Sequence, residues 1–378
     1  MWRRTAIAGI GQTEFSKNSG RTELQLAAEA SLAAIADAGL EPSDIDGMVT
    51  FTIDNSTEPA LMDCLGINDL TWAGRTPGGG NVASAVVGMA AAAITSGAAR
   101  TVLVYRALNE RSGHRYGQAS GGANPKQPVS GGRQLNTFAA KYALWYQRYM
   151  YENGVTNEDL GRYSVVARKH AATNPNAWFY NRPITLADHQ ASRWIVEPVL
   201  RLLDCCQESD GAAALIITSR EVARRGPNVP VIVEAAAQSH AAGVTAGIGY
   251  QHSDMGRFDE AAAVAAQLYR DAGLTADDID AAMIYENFSP AVLLQLEAYG
   301  FCKPGQAKDF IAGGNIELGG ALPVNTHGGL LGEAYIHGIN NILEGVRQIR
   351  GTAVNQVAGA QHVVVSAGPS GLILGQDT

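Results

Sequence analysis

The chain has 378 residues, 46% of them hydrophobic and 17% charged, with a formal net charge of −8. That length and apolar content suit two domains or one large α/β unit and exclude a disordered chain, while acidity without a basic run argues against a nucleic-acid or anionic-membrane binder. The four cysteines, Cys64, Cys205, Cys206 and Cys302, form no CxxC pair, which argues against a disulfide framework or zinc ribbon and favours a reducing, cytoplasmic home.

The N-terminus, Met1-Trp2-Arg3-Arg4, lacks a long apolar segment and reads as the approach to a first strand at residues 5–9 rather than as a signal peptide. Residues 26–51, LAAEASLAAIADAGLEPSDIDGMVTF, read as an alanine-rich helix, a glycine stop, an acidic turn and an apolar strand. Gly78-Gly79-Gly80 leads into a helix expected at 81–96 and a strand at 101–105. The apolar stretch at 82–94 is too short to span a bilayer. Residues 107–201 interrupt the alternation, with a loop-like run at 112–133 and then helices, and are expected to form an insertion near a ligand.

The alternation resumes with a strand at 229–235. Residues 260–285, EAAAVAAQLYRDAGLTADDIDAAMIY, repeat the organisation of 26–51. Asp37-Ala38-Gly39-Leu40 matches Asp271-Ala272-Gly273-Leu274, and Asp44 and Asp46 match Asp278 and Asp280. Gly39 and Gly273 sit where a helix end needs a left-handed residue, and Asp44 and Asp278 are placed to cap the next element. A helix at 331–348 and a strand at 362–366 close the second half. The expected organisation is two duplicated halves, 1–225 and 226–378, with a mostly parallel sheet covered by helices.

Several familiar sites are excluded. Gly9-Ile10-Gly11-Gln12-Thr13-Glu14 lacks the third glycine of a dinucleotide fingerprint. Gly78–Gly80 can offer backbone N–H groups to an anion at a helix start, but no Lys-Ser/Thr comes after it to make a P-loop. Neither GxSxG nor HExxH occurs, and His327 and His337 have no carboxylate at ligand spacing, so no metal is expected.

Other motifs carry a resemblance. Val324-Asn325-Thr326-His327-Gly328-Gly329-Leu330 resembles the N-x-x-GG-L segment of thiolases, and Leu331–Gly338 takes the place of their G-H-P-x-G loop. Tyr285-Glu286-Asn287-Phe288 stands for the N/H-E/D-x-F motif, and Ser366-Ala367-Gly368 for the C-x-G motif. The resemblance to the thiolase superfamily spans essentially the whole chain. It is closest to the lipid-transfer-protein-like, sterol-carrier-protein-x-type branch, and within that to bacterial steroid side-chain-cleaving aldolases. The segments YRALNERSG, SRWIVEP, LLDCCQESDGA, NTHGGLLGEAYIHG and EGVRQIRGTAVNQVAGAQHV carry the closer match. It implies an α/β thiolase fold: two βαβαβαββ-type halves in five αβαβα layers with a loop-domain insertion.

The departures from a thiolase carry the functional expectation. The position of the nucleophilic cysteine falls at Gly80, that of the acid/base cysteine at Ser366, and the two polar motif positions at Tyr335 and Tyr285. Acyl transfer through cysteine thereby loses its nucleophile. Two phenols can act as an acid and base pair, although an unperturbed tyrosine titrates near pH 10, so one is expected to need nearby donors or positive charge. By resemblance, Tyr285 and Tyr335 catalyse retro-aldol cleavage of a 17-hydroxy steroid side-chain acyl-CoA to a 17-keto steroid and propionyl-CoA. His327 is expected to donate to the thioester oxygen or orient a tyrosine, or else to be a satisfied, buried histidine. Asn325, Gly328, Gly329, His337, Gly80 and Asn81 are the expected substrate- or CoA-binding residues. Glu286 reads as a structural turn residue, and Cys205 and Cys206 as small buried hydrophobes.

No cofactor is expected beyond the CoA carried by the substrate. The expected assembly is a homodimer that joins a small OB-fold and zinc-ribbon protein in a heterotetramer, consistent with the lack of an obvious Lys/Arg cluster for the CoA phosphates. The alternatives are a non-catalytic acyl-CoA or sterol carrier and a partner-dependent thiolase-type acyltransferase.

Overall fold

The computed structural model describes residues 2–115, 117, 137–240 and 254–377. In chain order, β1 (Thr5–Gln12), α1 (Glu23–Asp37), β2 (Gly47–Phe51), α2 (Glu58–Leu65), β3 (Trp72–Thr76), α3 (Ala83–Ser96) and β4 (Thr101–Asn109) open the fold. The insertion contributes α4 (Phe138–Asn153), α5 (Asn157–Thr173), α6 (Leu186–Ala191) and the two-stranded β5 (Trp194–Val196) and β6 (Leu200–Arg201). Next come β7 (Asp210–Ser219), α7 (Arg220–Ala223), β8 (Val231–Gln238), α8 (Asp259–Ala272), β9 (Ala281–Ile284), α9 (Pro290–Ala298) and α10 (Ala307–Ala312). The chain ends with α11 (Gly329–Gly332), α12 (Ile339–Arg350), β10 (His362–Ser366) and β11 (Ser370–Gln376).

Among the described residues, nine strands form one sheet in the order β3-β2-β4-β7-β1-β8-β11-β10-β9. The halves join where Ala6 and Ile7 of β1 pair with Ile232 and Val231 of β8. The expectation of a mostly parallel sheet is corrected. Among the described residues, β2 with β3, β2 with β4, and β9 with β10 run parallel, and the other five strand pairs of the sheet are antiparallel. The cause is local: three residues separate β10 from β11, and so short a link permits only antiparallel return. β4 and β7 make the same antiparallel pair with the insertion between them. Asn109 faces Asp210 across that ladder, so the insertion leaves and rejoins the sheet there rather than at 107 and 201. Most of the loop expected at 112–133 lies outside the described residues.

Strand alternation sorts the core into layers. Val102 and Val104 of β4 and Val363 and Val365 of β10 share one apolar cluster with Val86 and Ala90 of α3 and Ile342 and Val346 of α12. Their strand neighbours point the other way. Leu103 packs with Leu26, Ala30 and Ile35 of α1, and Val364 packs with Val264 and Leu268 of α8. The layers are therefore α1, the first-half strands, α3 with α12, the second-half strands, and α8 with α9. Burial on both faces accounts for the unbroken apolar runs in the strands.

The repeat is visible as geometry. Gly39 and Gly273 come just after their helices at φ of 69° and 72°, a region that costs glycine little. Asp44 and Asp278 close their own turns, accepting from the N–H of Glu41 and of Thr275, and so do not cap the strands after them. The helix expected at 331–348 is two helices. His337 and Gly338 take φ of 50° and 77°, which ends helical winding and leaves Tyr335 in the break rather than at a helix start. No helix among the described residues is long and apolar enough to cross a membrane.

Candidate active site

The break between α11 and α12 meets the end of β9 above α3. The N–H of Tyr285 donates to the carbonyl of Ser366 at 2.7 Å, carrying the β9–β10 pairing one residue past β9. The Tyr285 ring then occupies the space beside the turn Gly80–Val82 that leads into α3. A Cβ on Gly80 would stand 2.1–2.3 Å from Cε2, Cζ and Oη of that ring, and one on Gly338 would stand 2.9 Å from its Cδ2. Gly80 is thus the seat of the tyrosine. The phenol oxygens of Tyr285 and Tyr335 lie 2.7 Å apart, and both residues are only 8% exposed.

Burial pushes both phenols well above their ordinary pKa, and it is the largest cause in each case. For Tyr335 the next causes, Tyr285, Cys206 and Glu110, raise it further. For Tyr285 the hydrogen bond with Tyr335 acts the other way, but burial outweighs it, so the pair rests as two neutral hydroxyls. Neutral phenols in contact can take a proton on one oxygen while releasing one from the other.

The other expected residues surround this pair in different ways. Asn325, at φ 49°, accepts from the N–H of Ile284 at 2.7 Å and donates to its carbonyl at 2.9 Å and to Tyr163 Oη at 2.8 Å. Its amide is engaged in pinning the end of β9. Gly328 passes against Ala171 of α5, and Gly329 passes against the Glu286 carboxyl, with no room for a Cβ at either. Asn81 is half-buried, and its carbonyl accepts from Ser370 Oγ at 3.0 Å. His327 Nε2 lies 3.3 Å from Asn341 Oδ1 and 3.8 Å from a Glu333 oxygen. Burial, with the charge of Arg347 as the second cause, lowers the His327 pKa to about 3. It is therefore neutral, and it connects to the β9 end through Asn341, which donates to the Ile284 carbonyl at 3.1 Å.

His337 sits edge-on to Tyr335, with ring centroids 5.0 Å apart. Its Nδ1 is 2.9 Å from Arg106 Nε, and burial, then Arg106, holds its pKa well below the usual value. Ser366, at the expected acid/base position, donates to Gln295 Oε1 at 2.6 Å, and Gln295 donates to the Tyr285 carbonyl at 2.8 Å. This serine anchors the Tyr285 backbone.

Sequence reasoning read Glu286 as a structural turn residue and did not single out Glu110, Arg106 or Asp54. Glu286 is fully buried; one of its oxygens accepts the Leu330 N–H at 2.6 Å and the other has no hydrogen-bond partner among the described residues. Burial pushes its pKa up to about 8 against that hydrogen bond. Glu110 is similar, raised to about 8 by burial and then by Glu208. Arg106 and Asp54, on β4 and after β2, form a buried ion pair at 2.6 Å. The only sequence signal for Arg106 and Glu110 was their place in YRALNERSG. Burial pushes the Cys205 and Cys206 thiols up as well, and among the described residues no His, Cys, Asp and Glu cluster could hold a metal.

Five αβαβα layers with a tyrosine pair seated on a glycine at the start of a central helix define a thiolase fold with a phenolic centre. A family model described as thiolase C-terminal domain-like matches residues 235–376. The steroid side-chain-cleaving aldolase of Thermomonospora curvata is 55% identical over 98% of both chains. The 17-hydroxy-3-oxo-4-pregnene-20-carboxyl-CoA lyase of Mycobacterium tuberculosis is 52% identical over 98% of this chain and 99% of its own. The solved Ltp2-ChsH2(DUF35) aldolase superposes with a TM-score of 0.92 at 53% identity, over 99% of this chain and 98% of that one. Human mitochondrial 3-ketoacyl-CoA thiolase, at 14% identity and TM-score 0.68 over the full length of both chains, shares the fold. The chain belongs to the thiolase superfamily, in the sterol-carrier-protein-2-like group that includes the steroid side-chain-cleaving aldolases.

Proposed function

We propose that this carbon–carbon lyase cleaves a 17-hydroxy steroid side-chain acyl-CoA by a retro-aldol reaction, releasing a 17-keto steroid and propionyl-CoA. The observation that carries the proposal is the 2.7 Å contact between two buried phenols beside Gly80, where a thiolase would hold its cysteine. The identity to an aldolase and a lyase of that substrate class supports it.

The reaction neither gains nor loses a proton, and a phenol pair suits that balance. One phenol takes the proton of the substrate's β-hydroxyl, while its own proton passes to the second phenol. The second phenol gives its proton to the α-carbon. The electrons of the O–H bond form the new C=O, and those of the broken C–C bond reside on the thioester enolate until the new C–H bond forms. No phenolate is needed at rest, which agrees with the raised pKa values of both groups. The thioester itself stabilises the carbanion, so neither a Schiff-base lysine nor a cofactor enters. The pair works in either direction.

Asn325, Gln295 and Ser366 hold the β9 end that presents Tyr285, and Gly328 and Gly329 bring α11 against α5 and Glu286. The proposed assembly is a dimer of this chain with two copies of a DUF35 partner, for which the resemblance expects an OB-fold and zinc ribbon. The name of the solved relative supports the partner, and the position of β3 at one edge of the sheet among the described residues and the prevalence of two-fold symmetry support the dimer. The test is incubation of the chain and partner with a tertiary β-hydroxyacyl-CoA, with mass detection of propionyl-CoA and ketone. Release of both products is expected. Tight binding without release would overturn the lyase and mark a carrier.

A further inference from the structure

Arg106 holds the His337 ring in one protonation form. A guanidinium has only N–H donors, so the nitrogen it meets at 2.9 Å, Nδ1 of His337, must offer a lone pair. An imidazolium there would set N–H against N–H between two buried side chains. The ring is therefore neutral, with its proton on Nε2. Arg106 is itself fixed: Nη1 donates to Asp54 Oδ2 at 2.6 Å and to the Ala107 carbonyl at 3.0 Å. Asp54 in turn accepts from the N–H of Ser56 at 2.7 Å and of Ala107 at 3.2 Å. The arginine is 1% exposed, and its guanidinium lies over Phe51.

The other side of the ring faces the reacting centre. Nε2 stands 3.5 Å from where a Cβ on Gly79 would be, next to the glycine that seats Tyr285, and the ring edge meets Tyr335. The left-handed φ of 50° at His337 is uncommon for a residue with a side chain and directs the ring inward. A buried ion pair by itself adds little stability. A fixed neutral donor beside developing negative charge adds much to a rate.

We infer that Arg106, held by Asp54, locks His337 as the Nε2–H tautomer, and that this N–H holds the thioester carbonyl oxygen as the C–C bond breaks. The inference rests on the retro-aldol reading and supplies the donor that reading needs for the enolate. His337 is then a catalytic residue, and Arg106 and Asp54 are positioning residues.

The experiment uses the full chain with its partner. Nitrogen NMR of isotope-labelled histidine is expected to show Nδ1 bare and Nε2 protonated at His337, with the signal assigned by its loss in His337→Asn. Arg106→Lys, which keeps the charge opposite Asp54, is expected to give a mixture of tautomers. His337→Asn suits the left-handed backbone but falls short of the Nε2 position. It is expected to lower kcat by about 10²-fold with KM little changed. His337→Gln returns an N–H near that position and should recover most of the loss. An Nδ1–H tautomer in the wild type overturns the lock. Full kcat in His337→Asn, or equal losses in the Asn and Gln variants with a lowered Tm, overturns the donor role. A wild type that cleaves no substrate overturns the retro-aldol reading, while the NMR still decides the lock.

Discussion

In the first half, Asp46 accepts the N–H groups of Arg100 and Thr101 at the start of β4. In the second, Asp280 accepts those of Gln361 and His362 at the start of β10. Each helix before these aspartates ends at a left-handed glycine, and α3 and α12 likewise end at Gly97 and Gly351, with φ of 79° and 73°. The frames match, but the strand ends differ. Phe51 closes β2 and packs near His337 with ring centroids 6.2 Å apart, whereas Tyr285 holds the corresponding place in the sequence repeat and bonds to Tyr335. One hydroxyl on one ring separates Phe51, a packing residue, from Tyr285, the residue proposed to react. The duplicated frame supplies position, and under the proposed mechanism the departures from the duplication supply chemistry.

Tyr285→Phe makes the two halves alike at this point and is the sharpest way to break the contrast. It keeps the ring seated on Gly80 and removes the relay. Cleavage is expected to fall by about 10²–10⁴-fold with little change in Tm, and Tyr335→Phe is expected to behave alike. Steady-state product release by each variant with the partner present checks this. Full activity in both would mean that the difference between Phe51 and Tyr285 carries no chemistry.

Gly80→Ala attacks the same contrast from the other half. Its Cβ would overlap three atoms of the Tyr285 ring, so the ring must move. Overpacking of this kind costs about 1–3 kcal/mol, read as a lower Tm, and a displaced phenol loses activity as well. Gly80→Cys meets the same overlap and is expected to lose lyase activity without gaining acyl transfer.

The frame was legible in the sequence because helix stops, acidic turns and apolar strands have local signatures, and both copies carry them. The tyrosine pair was legible only through motif positions, since nothing in the spacing of residues 285 and 335 tells that the two phenols touch. Arg106 was hidden for the same reason: its partners Asp54 and His337 come from distant loops. The break between α11 and α12 was masked by apolar residues at helical spacing on both sides. Of the buried polar side chains beside it, Glu333 accepts from Asn174 and Asn340, Asn340 also donates to the Ala334 carbonyl, and Asn341 donates to that of Ile284, contacts that no local pattern encodes. Antiparallel β7 was obscured because the insertion separates it from β4.

A pH series sharpens the comparison one residue further on. The repeat sets uncharged Thr52 opposite Glu286. Burial raises the Glu286 pKa to about 8, against about 4.3 in an unfolded chain. Between those values the folded state binds more protons than the unfolded one, so this group makes stability fall as pH rises, and the loss is complete above pH 8. Glu286→Gln keeps an acceptor for the Leu330 N–H and cannot ionise. Its Tm is expected to match wild type near about pH 5 and to exceed it progressively toward about pH 8. A constant difference across the series would show that Glu286 does not titrate on unfolding.

The smallest expected effect concerns the cysteines, and it separates a phenolic centre from a thiolase one. A nucleophilic cysteine needs a lowered pKa and access. Cys206 lies near both tyrosines, yet burial, then Glu110, raises its thiol far above the ordinary range. Cys205 is raised mainly by burial and Cys302 is pushed up to about 12 for the same reason, while Cys64 is exposed on α2. Iodoacetamide at neutral pH is therefore expected to label Cys64 first and to leave cleavage within about twofold of the untreated rate. Peptide mapping alongside the assay ties any loss to a residue. Inactivation that tracks alkylation of Cys206 would mean that a thiol carries the reaction, and the hydroxyl that distinguishes Tyr285 from Phe51 would then be incidental.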